Sequence, residues 1–392
     1  MAYQAPVRKI IWVNLTFFIV TGLIGLIGTP IYASHYGVSS FEIAFTLFFV
    51  VATGMAITAG YHRLFSHATY QAHPVIQFLY LFFGAAAFEQ SAMDWSAQHR
   101  DHHRYVDTDR DPYSIEKGFF YAHIGWLIFW KHHIPYENVP DLQKNPMVVH
   151  QHRNYYLWAI GSGIIFPVVV GAMAGHALGA FILTVCLRLA VVHHATFCIN
   201  SVCHVFGKST YDPHSSARDH WLVAFLTNGE GYHNFHHRFP SDYRNAIRWY
   251  QWDPSKWLIA LLAKAGLAWN LKKVSKFRIW EARLAAENTV LCEQLKDSKK
   301  AQSSAPESFQ AMLQDRYKRL AQGLKAWEKV SREYQELMAG HLRPSRELLM
   351  QTLHNIKDAQ RNFKSERRHW LRFIRTESPM AFLCFTGLFL LM

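Results

Sequence analysis

Nine histidines fall into four short clusters: HRLFSH from His62 to His67, HRDHH from His99 to His103, NSVCH from Asn200 to His204, and HNFHH from His233 to His237. Neutral imidazole is the commonest protein ligand for a metal ion. Residues three and four apart are neighbours on a helix, so His99, His102 and His103 share one helical face, and His233, His236 and His237 share another. Asn200 and His204 repeat the four-residue interval, whereas His62 and His67 are five apart and need a helix end or a turn to converge. The chain holds 24 histidines, and a lone one is most often a satisfied polar residue. Two HxxHH boxes with an HxxxxH upstream form a pattern that such residues do not make by scatter. Nine ligands are too many for one ion and suit two.

Imidazole-rich sites take iron, copper, zinc or nickel, so ligand type alone does not name the metal. Composition narrows the choice. The 392 residues are 50% hydrophobic and carry a net charge of +13, a combination that fits apolar stretches in a bilayer and a basic surface facing anionic headgroups or a phosphate-bearing substrate. Two redox-active ions beside apolar helices suit dioxygen activation against an unactivated C–H bond in a water-excluding site. Zinc has no redox chemistry and would serve only hydrolysis or structure. Nucleic acid is excluded as a partner, because the basic residues are interspersed with membrane segments and no recognition module is present.

These ligands must be positioned by membrane helices. Four segments reach the length of about 20 apolar residues needed to cross a bilayer: Ile10 to Ala33, Phe41 to Gly60, Tyr156 to Met173 and Leu178 to Cys198. They read as two tight hairpins, whose links ASHYGVSS and AMAGHALG contain no Lys or Arg. Arg8 and Lys9 precede the first segment, and Arg100, Arg104, Lys117, Lys131 and Arg153 fill the central loop. The positive-inside rule therefore places both termini and all four clusters on the cytosolic side. No cleaved signal peptide is expected, since the first apolar run is itself an anchor. Pro74 to Phe88 and Gly118 to Trp130 are too short to span and read as interfacial or core helices. Arg188, His193 and His194 lie within the fourth span, where ionisable groups usually face a protein interior. The five cysteines show no CxxC pair and read as small buried hydrophobes.

The expected fold is an all-α integral membrane protein: four transmembrane helices in two hairpins, a cytosolic helical cap holding the metals, and a C-terminal helical hairpin. Residues 1–276 form the membrane domain, 277–378 a charged, coiled-coil-like extension, and 379–392 an apolar tail. In the extension, Leu313, Tyr317, Leu320, Leu324, Trp327, Val330, Tyr334 and Leu337 recur at intervals of three and four. Pro344 breaks that stripe, and Leu349, Leu353, Ile356, Phe363 and Trp370 begin a second. Oligomerisation, docking of an electron donor and a membrane-surface belt are all open roles, with helix packing or oligomerisation favoured by the heptad pattern.

The boxes HRLFSH, HRDHH and GEGYHNFHHRFPSDYR, with NSVCHVFG between the last two, resemble those of the membrane acyl-CoA delta-9 desaturases of the stearoyl-CoA type, from about Ile10 to Lys276. The resemblance implies that His62, His67, His99, His102, His103, His204, His233, His236 and His237 hold two Fe2+ ions, with Asn200 reaching one through water. It also implies a bent tunnel that sets the reacting methylenes, with Trp95 and Thr196 at the bend and Trp126 in a conduit-lining stretch. Glu89 stands where the family usually has a neutral amide, and Ala97 where an arginine is frequent. The implied reaction is oxygen-dependent desaturation of a long-chain acyl-CoA to a cis-delta-9 product. A lipid hydroxylase on the same scaffold and a non-catalytic metal-binding membrane protein are the alternatives.

Two further expectations concern electrons and substrate length. The sequence has no dinucleotide-binding glycine fingerprint, no four-cysteine cluster and no HPGG haem signature, so a separate reductase or a ferredoxin- or cytochrome-type donor is expected. Val50 and Gly54 lie one turn apart on the helix leading to His62, roughly 12 to 18 Å below the metals at about 1.5 Å per residue. Either they leave the floor of an acyl tunnel open, or Gly54 lets two membrane helices approach closely.

Overall fold

A computed structural model describes residues 9–129, 136–300, 307–340 and 344–377. The apolar tail at 379–392 lies outside them. The chain divides into two compact units, Met1–Gly207 with His214–Lys273, and Lys208–Pro213 with Val274–Met392.

Four helices of the first unit are long and apolar enough to cross a membrane: Trp12–Tyr36, Ser40–Ser66, Tyr155–Met173 and Ala177–His204. The second begins at a capping box, in which the Ser39 hydroxyl accepts the Glu42 N–H and the Glu42 carboxylate accepts the Ser39 N–H. Glu42 is buried, and the Tyr32 hydroxyl donates to it at 2.6 Å, tying the first helix to the start of the second. Close approach of the first and fourth helices needs Gly25, where a Cβ would come within 2.8 Å of the Leu187 backbone. Their lipid-length stretches leave many large apolar side chains exposed, among them Ile19, Leu23, Leu47, Val51, Ile165 and Val169, as a bilayer-facing surface requires.

The second and fourth helices outrun their apolar stretches. The sequence ends these spans at Gly60 and Cys198, but the helical backbone continues to Ser66 and His204. Hydropathy marks where lipid contact stops, whereas the helix continues wherever its hydrogen bonds and packing are satisfied. The residues gained are those that carry His62, Asn200 and His204 towards the histidine helices Ala92–Tyr105 and His233–Arg238. Of the two short apolar stretches, Pro74–Ala86 is an α-helix with Pro74 at its first turn, and Tyr121–Gly125 runs as a π-helix into a short α-helix at Trp126–Phe129. A two-residue antiparallel pairing, Gln71–Ala72 with Ala268–Trp269, supplies the strand content of the described residues.

The second unit holds three long helices, Lys276–Lys300, Glu307–Ala339 and Arg346–Glu377, of which the last two carry the two stripes that the sequence indicated as a hairpin. The first of them carries Phe277, Leu284 and Leu291 at intervals of seven, and these are buried together with Leu313, Leu320, Leu324, Trp327, Phe363 and Trp370. Parts of both stripes read from the sequence are thus covered by the chain's own helices, while Val330, Tyr334, Leu337, Leu349 and Leu353 are half-buried. Within this core the buried Glu287 accepts two hydrogen bonds from Arg367, at 2.5 and 2.6 Å, and one from Trp370 Nε1 at 3.1 Å. Replacing Glu287 with Ala leaves Arg367 buried without its carboxylate, which typically costs about 3–5 kcal/mol. Limited proteolysis of the solubilised full chain should then cut within 276–377 at far lower protease concentration. The Glu287→Met, Arg367→Met double variant should recover most of that resistance. Equal resistance of Glu287→Ala and the parent would show that the pair contributes nothing.

Candidate metal centre

The six-residue first box is wound so that its ends meet. Ala56–Ser66 is a π-helix, and the His67 N–H donates to the His62 carbonyl at 3.0 Å, an i→i+5 bond. That wide last turn is how two histidines five apart converge. The second box lies on a helix opened by Ser91, whose hydroxyl accepts the Asp94 N–H at 3.1 Å. The fourth lies on a short helix whose first turn is held by Asp219, which accepts the N–H groups of Asn234 and Phe235 at 2.9 and 3.1 Å.

The nine imidazoles assemble into two groups. His62, His67, His99, His103 and His236 form one, and His102, His204, His233 and His237 the other, with the ligand atoms in each group all within 4.8 Å of one another. Each three-histidine helix is divided between them. His99 and His103, one turn apart, serve the first group while His102 serves the second; His233 and His237 serve the second while His236 serves the first. Nε2 atoms converge throughout: His62 to His236, His99 to His67 and His236 to His103 at 2.9 Å, His204 to His233 at 3.1 Å and His102 to His237 at 3.2 Å.

Three of the outward-facing ring nitrogens lie against acceptors. His62 Nδ1 lies 2.6 Å from Glu230, and His102 Nδ1 lies 2.9 Å from Asp111. His204 Nδ1 donates to the Ser216 hydroxyl at 2.5 Å, and that hydroxyl in turn donates to Asp107. Carboxylates only accept, so each of these Nδ1 atoms carries the proton and the Nε2 lone pair points inward. A hydrogen bond joins two atoms; five ring nitrogens within 4.8 Å of one another enclose a point. Convergent lone pairs with carboxylate-oriented outer nitrogens are the donor arrangement of a metal-bound histidine, so these residues fit a pair of metal ions. Burial, and then the neighbouring imidazoles, hold His67, His99, His103, His233, His236 and His237 well below the usual imidazole range, in the neutral ligating form.

Sequence spacing could not have found the partner of His62, because Glu230 reaches it across the fold. Glu230 sits three residues before His233 yet holds His62. It also accepts from Arg63 at 2.8 Å and from Asn245 at 2.7 Å, while Arg63 lies 3.0 Å from Asp253. Burial pushes the Glu230 carboxyl up, but His62 and Arg63 beside it bring it below the ordinary carboxylate value.

Around the metal groups the other sequence candidates take distinct places. Trp95 stacks on His99, with ring centroids 4.7 Å apart. Trp126 packs on Tyr113, whose hydroxyl is 3.2 Å from His99 Nδ1. Thr196 donates to Glu89 at 3.0 Å. Glu89 is flanked by two left-handed residues, Phe88 at φ 58° and Gln90 at φ 73°, and the carbonyls just before it are held by the fourth span, Ala86 by Arg188 and Ala87 by His193. Burial raises the Glu89 carboxyl to about 7 against the opposing hydrogen bonds of Thr196 and Trp95. Unlike Arg188 and His193, His194 is exposed and meets His123 at 3.0 Å. Asn200 is half-buried one turn before His204. Val50 and Gly54 are also half-buried. At Gly54 a Cβ would come within 2.7 Å of the Asn228 amide, the one atom near it, so the close approach there is to the loop before His233 and not to another span.

Residues 39–272 match the family model described as Fatty acid desaturase. The chain belongs to the fatty acid desaturase family, and its four apolar helices accord with a membrane protein. It is 45% identical over 232 residues to "Probable acyl-CoA desaturase" of Schizosaccharomyces pombe, covering 58% of this chain and 48% of that protein. It is 43% identical over 247 residues to "Acyl-CoA desaturase 1" of Saccharomyces cerevisiae, covering 62% and 48%, and 36% identical over 245 residues to "Stearoyl-CoA desaturase 5" of Bos taurus, covering 61% and 73%. The chain spans about half the length of the two yeast relatives.

Proposed function

We propose that this chain is an acyl-CoA desaturase that converts a saturated long-chain acyl thioester to its cis-delta-9 monounsaturated product at a pair of irons. The observation that carries this reading is the division of nine inward-facing imidazoles into two adjacent donor groups, joined to relatives whose names specify acyl-CoA desaturases. His62, His67, His99, His103 and His236 would hold one ion; His102, His204, His233 and His237 the other, with Asn200 assisting the four-histidine group through water. When bound, two irons supply the redox chemistry by which dioxygen, two electrons and two protons take one hydrogen from each of two adjacent carbons, leaving a double bond and two waters.

The chain's own residues position the reacting methylenes and exclude bulk water. Trp95, stacked on His99, forms a flat apolar wall beside the first group. Thr196 and Glu89 provide a polar bend, and Trp126 lines the approach over Tyr113. Glu230, Asp111 and the Ser216–Asp107 pair hold three imidazoles in their ligating tautomer. Residues 1–276 form the catalytic membrane domain, with two helical hairpins below a cytosolic cap and both termini on that side. The basic cytosolic loop suits coenzyme A phosphates. Turnover of defined acyl-CoA, acyl-carrier and phospholipid substrates, with double-bond positions mapped, tests the reading; a hydroxylated product without unsaturation would replace it with a hydroxylase.

Electrons come from a separate reductase or a ferredoxin- or cytochrome-type donor. Purified chain given NADPH, oxygen and acyl-CoA should therefore form no product until such a donor is added, and sustained turnover without one would contradict this. Val50, half-buried on the second span, sits at a depth suited to the methyl end of a long acyl chain. Val50→Trp should shift preference towards shorter acyl-CoA, measured by competition between chain lengths. An unchanged profile in folded, metal-loaded Val50→Trp would remove Val50 from the tunnel. Gly54→Leu is the poorer probe, because its side chain meets Asn228 in the loop before the fourth box.

A further inference from the structure

The helix Arg346–Glu377 has two faces of opposite character. Phe363, Trp370, Phe373 and Ile374 are buried in the three-helix core, so its apolar face is already covered. On the other side Arg361, Lys364, Arg368, Arg372 and Arg375 are all exposed. Their spacing of three, four, four and three residues places the five cations within an arc of about 80°, along roughly 21 Å of helix. Asp358 lies at the edge of this row, 3.5 Å from Arg361; Glu366 falls more than about 110° away around the helix.

We propose that this row of cations is a docking surface for a bilayer leaflet bearing anionic lipid. Charge complementarity supports it: a straight row of cations suits a flat, diffuse negative surface, and basic clusters of this size on an amphipathic helix bind acidic headgroups. Among the described residues of this unit the exposed large apolar side chains, Met312, Met338, Leu348 and Met350, all lie outside 361–375, so the row offers a partner charge without the exposed aromatic or Met side chains that are enriched at protein interfaces. The membrane is present wherever this protein is, through its four apolar helices, which raises its effective concentration at a tethered basic face.

The test is amine footprinting of the full chain in nanodiscs of phosphatidylcholine alone or mixed with phosphatidylserine. Acylation of Lys364 by a water-soluble ester is followed by mass spectrometry, with exposed Lys329 as the internal comparison. Lys364 should react roughly threefold or more slowly in the anionic discs and recover at high salt, where the Debye length falls to about 3 Å, while Lys329 is unaffected. In Arg368→Glu, Arg372→Glu, which alters exposed positions only, the lipid dependence should vanish with the helical content unchanged. Equal Lys364 rates in both discs, or equal slowing of Lys364 and Lys329, would overturn the proposal. So would protection that appears only when a soluble acidic protein is added, which would reassign the face to a protein partner.

Discussion

His236→Ala is expected to abolish turnover and strip the metal from the five-histidine group. Its Nε2 lies 2.9 Å from that of His62 and 2.9 Å from that of His103, so removing it opens the enclosure from the middle. Nothing nearby replaces it: the neighbouring imidazoles are already directed at the same point. Even changes in groups that only orient metal ligands cost roughly 10- to 100-fold in affinity or activity, and loss of a ligand should exceed that. His102→Ala should do the same to the four-histidine group. His35→Ala and His354→Ala should keep both metal and activity, since both residues are exposed and distant in sequence from the clusters. Metal content by mass spectrometry and product formation by gas chromatography check this. Full activity in either cluster variant, in a folded protein, would remove the basis of the metal assignment.

Glu230→Gln should weaken metal at the five-histidine group by roughly 10- to 100-fold while leaving the fold intact. The Glu230 carboxylate lies 2.6 Å from His62 Nδ1 and accepts hydrogen bonds from Arg63 and Asn245. Glutamine keeps the shape but removes the charge that makes His62 a stronger donor to metal, and its amide nitrogen can only donate. Arg63 retains Asp253 at 3.0 Å, which limits the structural damage. Asp111→Asn should act on the four-histidine group instead, through His102. Chelator titration of the purified variants separates the two, because each should lose one ion at lower chelator concentration and keep the other near the parental midpoint. Identical midpoints for Glu230→Gln and the parent would mean that His62 is oriented by packing alone.

Much of the centre was legible because its ligands come in local runs. HRDHH and HNFHH place three imidazoles within a single helical turn and a half, and any helix formed there must present them together. The division of each run into two ligands for one group and one for the other was not legible. It depends on which side of each helix faces which partner, and that is set by the approach of the second and fourth spans. The orienting carboxylates were hidden for a related reason. Asp111 lies near its imidazole in sequence, but Glu230 is 168 positions from His62, from the numbering of the chain, and no local pattern connects them. Gly54 illustrates a different gap: its lack of a side chain signals a close approach, and only the structure identifies the neighbour as Asn228.

By itself the sequence determined the chemistry available to this protein and the medium in which its helices sit. Histidine boxes and apolar runs are local and composition-driven, so they survive without knowledge of the fold. Tertiary structure decided how far the second and fourth helices extend beyond their apolar stretches, how a π-helical turn lets His62 and His67 meet, and which carboxylate serves which imidazole. It also decided that Leu313, Leu320, Leu324, Trp327, Phe363 and Trp370 of the C-terminal stripes are buried among three helices of the same chain, with Arg361, Lys364, Arg368, Arg372 and Arg375 of the last helix exposed. These are outcomes of packing between distant segments, where hydrogen bonds and close contacts select among backbones that the local sequence permits equally.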